Sequence, residues 1–210
     1  MKNHLESSKT YRYFTHGDIE KANKLLFVLH GYSQLAEFFI RKFHFLEDDY
    51  FIVAPEGMHR FYLKGSSGRV GASWMTKEDR DSDIKDNIHY LNSLYDSICS
   101  SKKFGQITLL GFSQGGATAA RWFNSFQRNI DAHISWASIY PPDLDITPCE
   151  KNKNNYFAIG DKDEYFSEHK LKETILFYKN LNYITFTFHG KHNIEPLTLK
   201  EILNQININK

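Results

Sequence analysis

One short run, residues 107–120, constrains the fold of this chain more than any other segment. Residues 107–110 are apolar or β-branched and predict a buried strand, and Gly-Phe-Ser-Gln-Gly follows at 111–115 before a series of small residues. A strand, a sharp turn and a helix in this order hold Ser113 in a strained backbone conformation, with its hydroxyl clear of the sheet. The pattern predicts that Ser113 is a nucleophile. A plain glycine-rich turn before a helix is the alternative.

An upstream segment predicts the loop that would stabilise a developing oxyanion. Residues 24–29 are an apolar run typical of a buried strand, and His-Gly-Tyr-Ser follows directly. After a strand of this kind, the loop donates one backbone N–H to the oxyanion, and the residue after the nucleophile donates the other. We therefore predict Tyr32 and Gln114 as the two donors. His30 is expected to hydrogen-bond loop backbone and to transfer no proton.

A candidate acid follows the strand predicted at residues 156–159. Asp161, Asp163 and Glu164 compete for this role, because an acid just past a strand end can reach a histidine from a polar loop. The Gly-x-x-Asp spacing favours Asp163. Asp161 is expected to cap the turn with its own side chain.

A candidate base follows the last predicted strand, residues 184–188, which alternates with period two. His192 is preferred because it fits a Gly-x-His pattern and precedes the final predicted helix. His189 continues the strand and is expected to be a partly buried, hydrogen-bonded side chain. The order Ser, Asp, His along the chain is the one expected of α/β-hydrolases and of no other serine-protease fold.

Strand and helix signals alternate along the chain, which predicts an α/β-hydrolase fold, with a mostly parallel central sheet and helices on both faces. A length of 210 residues fits one domain, 1–210. Each candidate catalytic residue follows a strand, where sites of such sheets lie. Strands are predicted at 11–14, 24–29, 50–54, 107–110, 133–138, 156–159 and 184–188, helices at 37–45, 84–98, 168–181 and 197–206, and irregular structure at 58–76.

Composition excludes several classes of partner. A net charge of +1 gives no electrostatic reason to expect nucleic acid. No apolar run is long enough to span a membrane, and the first residues lack the apolar region of a signal peptide. Cys99 and Cys149 are expected to be reduced thiols in a cytoplasmic protein, and a disulfide between them is the alternative. Whether the chain forms a homodimer is left open.

In these motifs the chain resembles the phospholipase/carboxylesterase group of small α/β-hydrolases, which includes the acyl-protein thioesterases. The resemblance implies hydrolysis of esters or thioesters, a cytoplasmic setting, and neither a metal nor another cofactor. A small bacterial esterase of this group is closer than a thioesterase. The matching segments are Leu-His-Gly-Tyr at 29–32, Ala-Pro-Glu-Gly at 54–57, Ser-Trp at 73–74, the helix at 84–98, Gly-Phe-Ser-Gln-Gly-Gly-Ala at 111–117, Gly-Asp-Lys-Asp at 160–163 and Gly-Lys-His at 190–192.

Four aromatic residues are candidates for the wall of a substrate pocket. The resemblance brings Trp74 near the site, although a place in the core is its alternative. Phe61 and Tyr62 belong to an apolar patch that could grip an acyl chain or pack beneath its loop. Tyr140 precedes two prolines and is open to the same two interpretations.

The sequence therefore predicts a serine hydrolase that cleaves carboxylic esters or thioesters of small or acyl-chain substrates through Ser113, His192 and Asp163. An amidase, a peptidase or an acyltransferase on the same triad is an alternative, as is a catalytically silent binding protein. A metal site is disfavoured because the spacing of the acids and histidines near the last strands matches no zinc pattern.

Overall fold

The computed structural model describes residues 1–46, 49–125, 129–145 and 154–208, and in it seven strands form one sheet. Two further strands form a separate hairpin. The strands are β1 (Tyr13–His16), β2 (Lys24–Leu29), β3 (Tyr50–Pro55), β4 (His59–Lys64), β5 (Ser67–Ser73), β6 (Gln106–Phe112), β7 (Ala132–Trp136), β8 (Asn154–Gly160) and β9 (Ile184–Phe188). The helices are α1 (Ala36–Phe39), followed by a 3-10 helix (Ile40–Leu46), then α2 (Arg80–Ser101), α3 (Gln114–Ser125), α4 (Glu168–Asn180) and α5 (Pro196–Ile208).

The sheet runs in the order β1-β3-β2-β6-β7-β8-β9. All neighbouring strands are parallel except β1, which pairs antiparallel with β3 at one edge. The central strand β6 is buried along its whole length. A strand covered on both faces reads as a continuous apolar run, which is why residues 107–110 show no alternation.

The two faces of the sheet are covered by different helices. Leu26 and Val28 of β2 pack in one apolar cluster with side chains of α1 and α5. Leu25 and Phe27 pack in the other cluster with side chains of α2 and α3. Because successive side chains of a strand point to opposite faces, the two clusters lie on opposite sides of the sheet. The predicted mostly parallel sheet with helices on both faces is confirmed.

Two predictions of local structure are wrong. Residues 58–76, expected to be irregular, contain the hairpin β4–β5. Gly65 in its turn and Gly68 near the start of β5 have positive φ of 60° and 86°. Its mostly exposed strands lack the apolar alternation that would have revealed them. Residues 37–45, expected to be one α-helix, become a 3-10 helix after Phe39. Ile40, Phe43 and Leu46 are buried at a spacing of three, which is the repeat of a 3-10 helix.

Two further observations concern membrane spans and cysteines. Among the described residues, every helix is too short or too polar to cross a membrane. Cys99 is a free, half-buried thiol on α2. Cys149 lies outside the described residues.

Two fully buried histidines, His30 and His133, are expected to make the fold sensitive to mild acid. Burial lowers the pKa of His30 to about 4 and that of His133 to about 3, so both are neutral in the folded protein. The unfolded chain binds these protons below about pH 6.5. The stabilisation from the two neutral histidines is therefore fully present above about pH 6.5. As the pH falls from there towards 4, each histidine lowers the free energy of unfolding by about 1.4 kcal/mol per pH unit.

Urea unfolding at pH 7 and pH 5 measures this loss. His133→Gln is expected to reduce the pH dependence of the free energy of unfolding. His169→Gln is the matched control, because His169 lies on the surface of α4. An unchanged pH dependence in His133→Gln would contradict the assignment.

Candidate active site

Ser113 lies in the turn between β6 and α3, with a left-handed backbone conformation of φ 54°. Its backbone N–H donates to the carbonyl of Trp136 over 2.9 Å, which fixes the turn against β7. A Cβ atom at Gly115 would lie 2.4 Å from the carbonyl oxygen of His30, and one at Gly111 would lie 2.5 Å from that of Gly115. The glycines are thus required by close backbone approach. Left-handed strain at a non-glycine residue is typical of a functional turn.

The loop after β2 passes directly over this turn. A Cβ atom at Gly31 would lie 3.2 Å from that of Ser113. The neighbouring N–H groups are occupied, since Gly31 donates to the Gln34 side chain and Ser33 donates to the Ala72 carbonyl, each over 2.9 Å. Among the hydrogen bonds of the described residues, none uses the N–H of Tyr32. This donor remains available to a ligand beside the serine.

The start of α3 supplies the second predicted donor. Gln114 is the first residue of that helix, so its N–H has no partner within the helix. No hydrogen bond to another described segment uses this N–H either. Free N–H groups at a helix start favour a negatively charged ligand atom.

The imidazole of His30 is held by loop backbone on both of its nitrogens. Nδ1 donates to the Gly31 carbonyl over 2.8 Å, and Nε2 accepts from the Gly57 N–H over 2.9 Å. The expectation that this histidine bonds loop backbone is confirmed. Its role is to fix the loop that carries Tyr32.

Glu56 fixes the same loop from its other end, which sequence reasoning missed. Its carboxylate, 2% exposed, accepts from the Ala36 N–H over 3.2 Å and from Arg12 Nε over 2.6 Å. Arg60 approaches the same carboxylate over 3.4 Å. The available signal was an acid placed directly after a buried strand, a position where a charge needs partners.

The Gln114 side chain is itself hydrogen-bonded to the segment after β5. Its Nε2 donates to the Met75 carbonyl over 2.9 Å, and its Oε1 accepts from the Trp74 N–H over 3.1 Å. These bonds tie the segment after β5 to the start of α3. They hold the predicted oxyanion donor at a fixed place relative to Ser113.

Asp163 and His192 lie together at the carboxyl ends of β8 and β9. Asp163 Oδ2 is 2.6 Å from His192 Nδ1, and its Oδ1 accepts from the Tyr165 N–H over 3.0 Å. The Asp163 side chain has no exposed surface, while that of His192 is 12% exposed. A buried carboxylate on Nδ1 leaves Nε2 as the free nitrogen of the ring.

The His192 ring packs between Phe112 and Tyr165, with centroid distances of 4.7 and 4.6 Å. Phe112 precedes Ser113, so the imidazole lies beside the nucleophile turn. Among the hydrogen bonds within the described residues, none joins Ser113 Oγ directly to His192. Catalytic hydrogen bonds are often long in a site without substrate and shorten when it binds.

The competing acid and base form a separate, exposed pair. Asp161 Oδ2 is 2.9 Å from His189 Nδ1, and Asp161 Oδ1 accepts from the Gly190 N–H over 3.0 Å. Asp161 therefore connects the loop after β8 with the loop after β9. The sequence had predicted instead that its side chain would cap its own turn. The His189 side chain is 75% exposed, so the expectation that it is partly buried is wrong. Within the described residues, no three His, Cys, Asp or Glu side chains are grouped to hold a metal ion.

The predicted aromatic wall is corrected in part. Trp74 has no exposed surface, and its indole N–H donates to the His30 carbonyl over 2.8 Å, so it supports the loop from the core. Tyr140 is also buried, with its ring 5.8 Å from that of Phe177. Neither residue lines the cleft beside Ser113.

The other two predicted aromatics lie outside the core. Phe61 stacks on the ring of Tyr32 at 5.2 Å. Tyr62 follows it on β4 and is 49% exposed. Phe61 therefore contacts the loop that passes over the nucleophile turn.

A cleft of about 360 Å³ opens beside Ser113. None of the four predicted aromatics lines it. Its walls come from the start of α3, the loop after β7, and the loop that leads into α4. They include Gln114, Ala117, Ile139, Tyr165, Phe166 and Lys170. A larger cavity of about 570 Å³ is lined by residues of the hairpin β4–β5 and of the segment 33–42. It does not include Ser113, so the smaller cleft is the candidate binding site.

No family model matches the chain, and neither does any curated protein sequence. Solved structures do resemble it. Esterase PE8 is 18% identical with a TM-score of 0.70, over 94% of this chain and 100% of that one. A phospholipase/carboxylesterase from Dyadobacter fermentans is 17% identical with a TM-score of 0.65, over 96% and 99%. An acyl-protein thioesterase 2 from Zea mays is 14% identical with a TM-score of 0.67, over 94% and 98%.

These likenesses confirm the predicted α/β-hydrolase fold. The similar structures include a phospholipase/carboxylesterase and an acyl-protein thioesterase, which is the group that the sequence motifs resemble. The similarity extends over nearly the full length of each chain.

Proposed function

We propose that this protein is a serine hydrolase that cleaves carboxylic esters through Ser113, His192 and Asp163. The observation that carries the proposal is the 2.6 Å contact between the buried Asp163 carboxylate and His192 Nδ1, at the strand ends next to Ser113. The fold and the esterases among the similar structures support it. The same proposal includes thioesters as substrates and a cytoplasmic setting.

In the first half of the reaction, Ser113 Oγ attacks the ester carbonyl carbon while His192 Nε2 takes the hydroxyl proton. Asp163 holds the ring with its proton on Nδ1 and stabilises the imidazolium that forms. The N–H groups of Tyr32 and Gln114 donate to the oxyanion of the tetrahedral intermediate. Each such donor typically lowers the barrier by about 3–4 kcal/mol.

The intermediate then collapses, and His192 returns the proton to the leaving alcohol. Water attacks the acyl-enzyme in the second half, with His192 again accepting the proton. The carboxylic acid leaves and Ser113 Oγ regains its hydrogen. Each turnover consumes one ester and one water molecule and releases one alcohol and one carboxylic acid.

Labelling with a fluorophosphonate probe tests the proposal, because only an activated serine reacts with it. Wild-type protein is expected to gain one phosphonyl group on Ser113, located by mass spectrometry of the digested protein. His192→Ala is expected to label far more slowly, since no base then takes the hydroxyl proton. Failure of the wild-type protein to label, together with no turnover on an ester panel of graded chain length, would refute the proposal.

A further inference from the structure

The cleft beside Ser113 is mostly apolar and has a single charge. Ile139, Tyr165 and Phe166 supply apolar wall, while Ser113, Gln114 and Ser138 supply neutral polar groups. Of the described residues that line the cleft, Lys170 is the only one with a charged side chain. A substrate in the cleft therefore meets one cationic side chain, that of Lys170.

Lys170 is held at this wall by the start of α4. The helix is capped by Ser167, whose Oγ accepts from the Lys170 N–H over 3.3 Å. The Lys170 ammonium lies over the ring of Phe166, 5.6 Å from its centroid. A cation over an aromatic face is attracted to that face, which keeps the side chain at the rim of the cleft.

The acids closest in sequence are paired with other side chains. On α4, Glu168 binds Lys172 over 2.6 Å and Glu173 binds His169 over 3.3 Å. Among the ion pairs of the described residues, none involves Lys170.

The acids of the loop before α4 are engaged elsewhere too. Asp163 contacts His192, and Asp161 contacts His189. Glu164 accepts from the His192 backbone N–H over 3.2 Å. Within the part of the chain that the structure describes, Lys170 is thus a cation at the cleft without an acidic partner of its own.

On the basis of the proposed function, we infer that the substrate of this cleft is an anionic ester, with a carboxylate or similar group that pairs with Lys170. The ammonium acts as a point charge on a flexible stem, so it can meet an anion on either the acyl or the alcohol part of the substrate. The apolar walls contact the carbon chain between that anion and the ester. Lys170 is the specificity-determining residue, and it takes no part in the proton transfers.

Two pairs of esters test the inference and locate the charge. One pair, with the charge on the acyl group, is the p-nitrophenyl monoester of adipic acid and neutral p-nitrophenyl hexanoate. The other, with the charge on the leaving group, is the acetate ester of 4-hydroxybenzoate and that of its methyl ester. Within each pair, the ratio of kcat/KM between the anionic and the neutral ester is measured for wild type and variants, so intrinsic reactivity cancels between proteins.

Lys170→Gln is expected to lower this ratio roughly fivefold in at least one pair, a modest change because water screens exposed charges. The matched control is Lys172→Gln, two residues further along the same helix, where the ammonium is already paired with Glu168. The control is expected to leave both ratios unchanged. High salt is expected to lower the wild-type ratio in the same direction as Lys170→Gln.

The inference is overturned if Lys170→Gln changes both members of each pair by the same factor, or if Lys172→Gln has an equal effect. Failure of the proposed function itself would give a result that is distinct from both of these. In that case the wild-type protein hydrolyses none of the four esters and does not react with the fluorophosphonate, and the inference falls with it.

Discussion

Ser113→Ala is expected to lower kcat for p-nitrophenyl acetate by roughly 10⁵- to 10⁶-fold, the loss typical of removing the nucleophile of a serine triad. The reason is that no other described hydroxyl group occupies the apex of the turn between β6 and α3. The fold is expected to survive, because the turn is held through the Ser113 backbone N–H and not through its hydroxyl. Alanine, like serine, carries a Cβ atom, so the substitution is not expected to change the backbone strain at φ 54°.

The comparison is made on purified protein, with thermal unfolding as the check that the variant is folded. Ser125→Ala is the matched control, since Ser125 ends the same helix. Among the described residues, its hydroxyl bonds only the Trp122 carbonyl, over 3.0 Å. This control is expected to hydrolyse the ester at the wild-type rate. A Ser113→Ala protein that keeps that rate would remove the basis of the proposed mechanism.

Asp163→Asn is expected to lower kcat by roughly 10⁴-fold, the loss typical when the acid of a serine triad becomes an amide. The side-chain amide would donate to His192 Nδ1 and force the ring proton onto Nε2. The imidazole could then no longer accept the proton of Ser113 Oγ. A smaller loss of stability is also expected, because the Asp163 side chain is fully buried and accepts from the Tyr165 N–H.

Asp161→Asn separates the two acids that the sequence left in competition. Its carboxylate pairs with the exposed His189, so kcat is expected to stay within roughly fivefold of wild type, as for other exposed pairs. Steady-state kinetics on the same ester measure both variants side by side. Equal losses in Asp161→Asn and Asp163→Asn would reopen the choice of acid.

The nucleophile turn was predictable because its signal is local. A buried strand, two glycines and a helix of small residues are consecutive in the sequence, and close backbone contacts explain each glycine. The strand ends that carry Asp163 and His192 were predictable for a similar reason. In a parallel sheet, the carboxyl ends of neighbouring strands meet at one edge.

Other features depend on contacts between distant segments and could not be predicted. The hairpin β4–β5 is stabilised by its turn and by pairing between its strands, which its polar sequence does not reveal. For Trp74 the sequence left both a pocket wall and the core open. Its indole is buried, and its N–H reaches the carbonyl of His30, 44 residues earlier. The place of Lys170 depends on which face of α4 meets the cleft, and that is decided by packing.

The order of the strands also bears on how the proposed activity would be acquired as the molecule folds. Ser113 follows β6 and His192 follows β9, and the sheet places β7 and β8 between them. The two side chains can meet only after every intervening strand has docked in register, and such non-local pairings form slowly. Regain of ester turnover during renaturation would therefore report completion of this half of the sheet, after helical circular dichroism has already recovered.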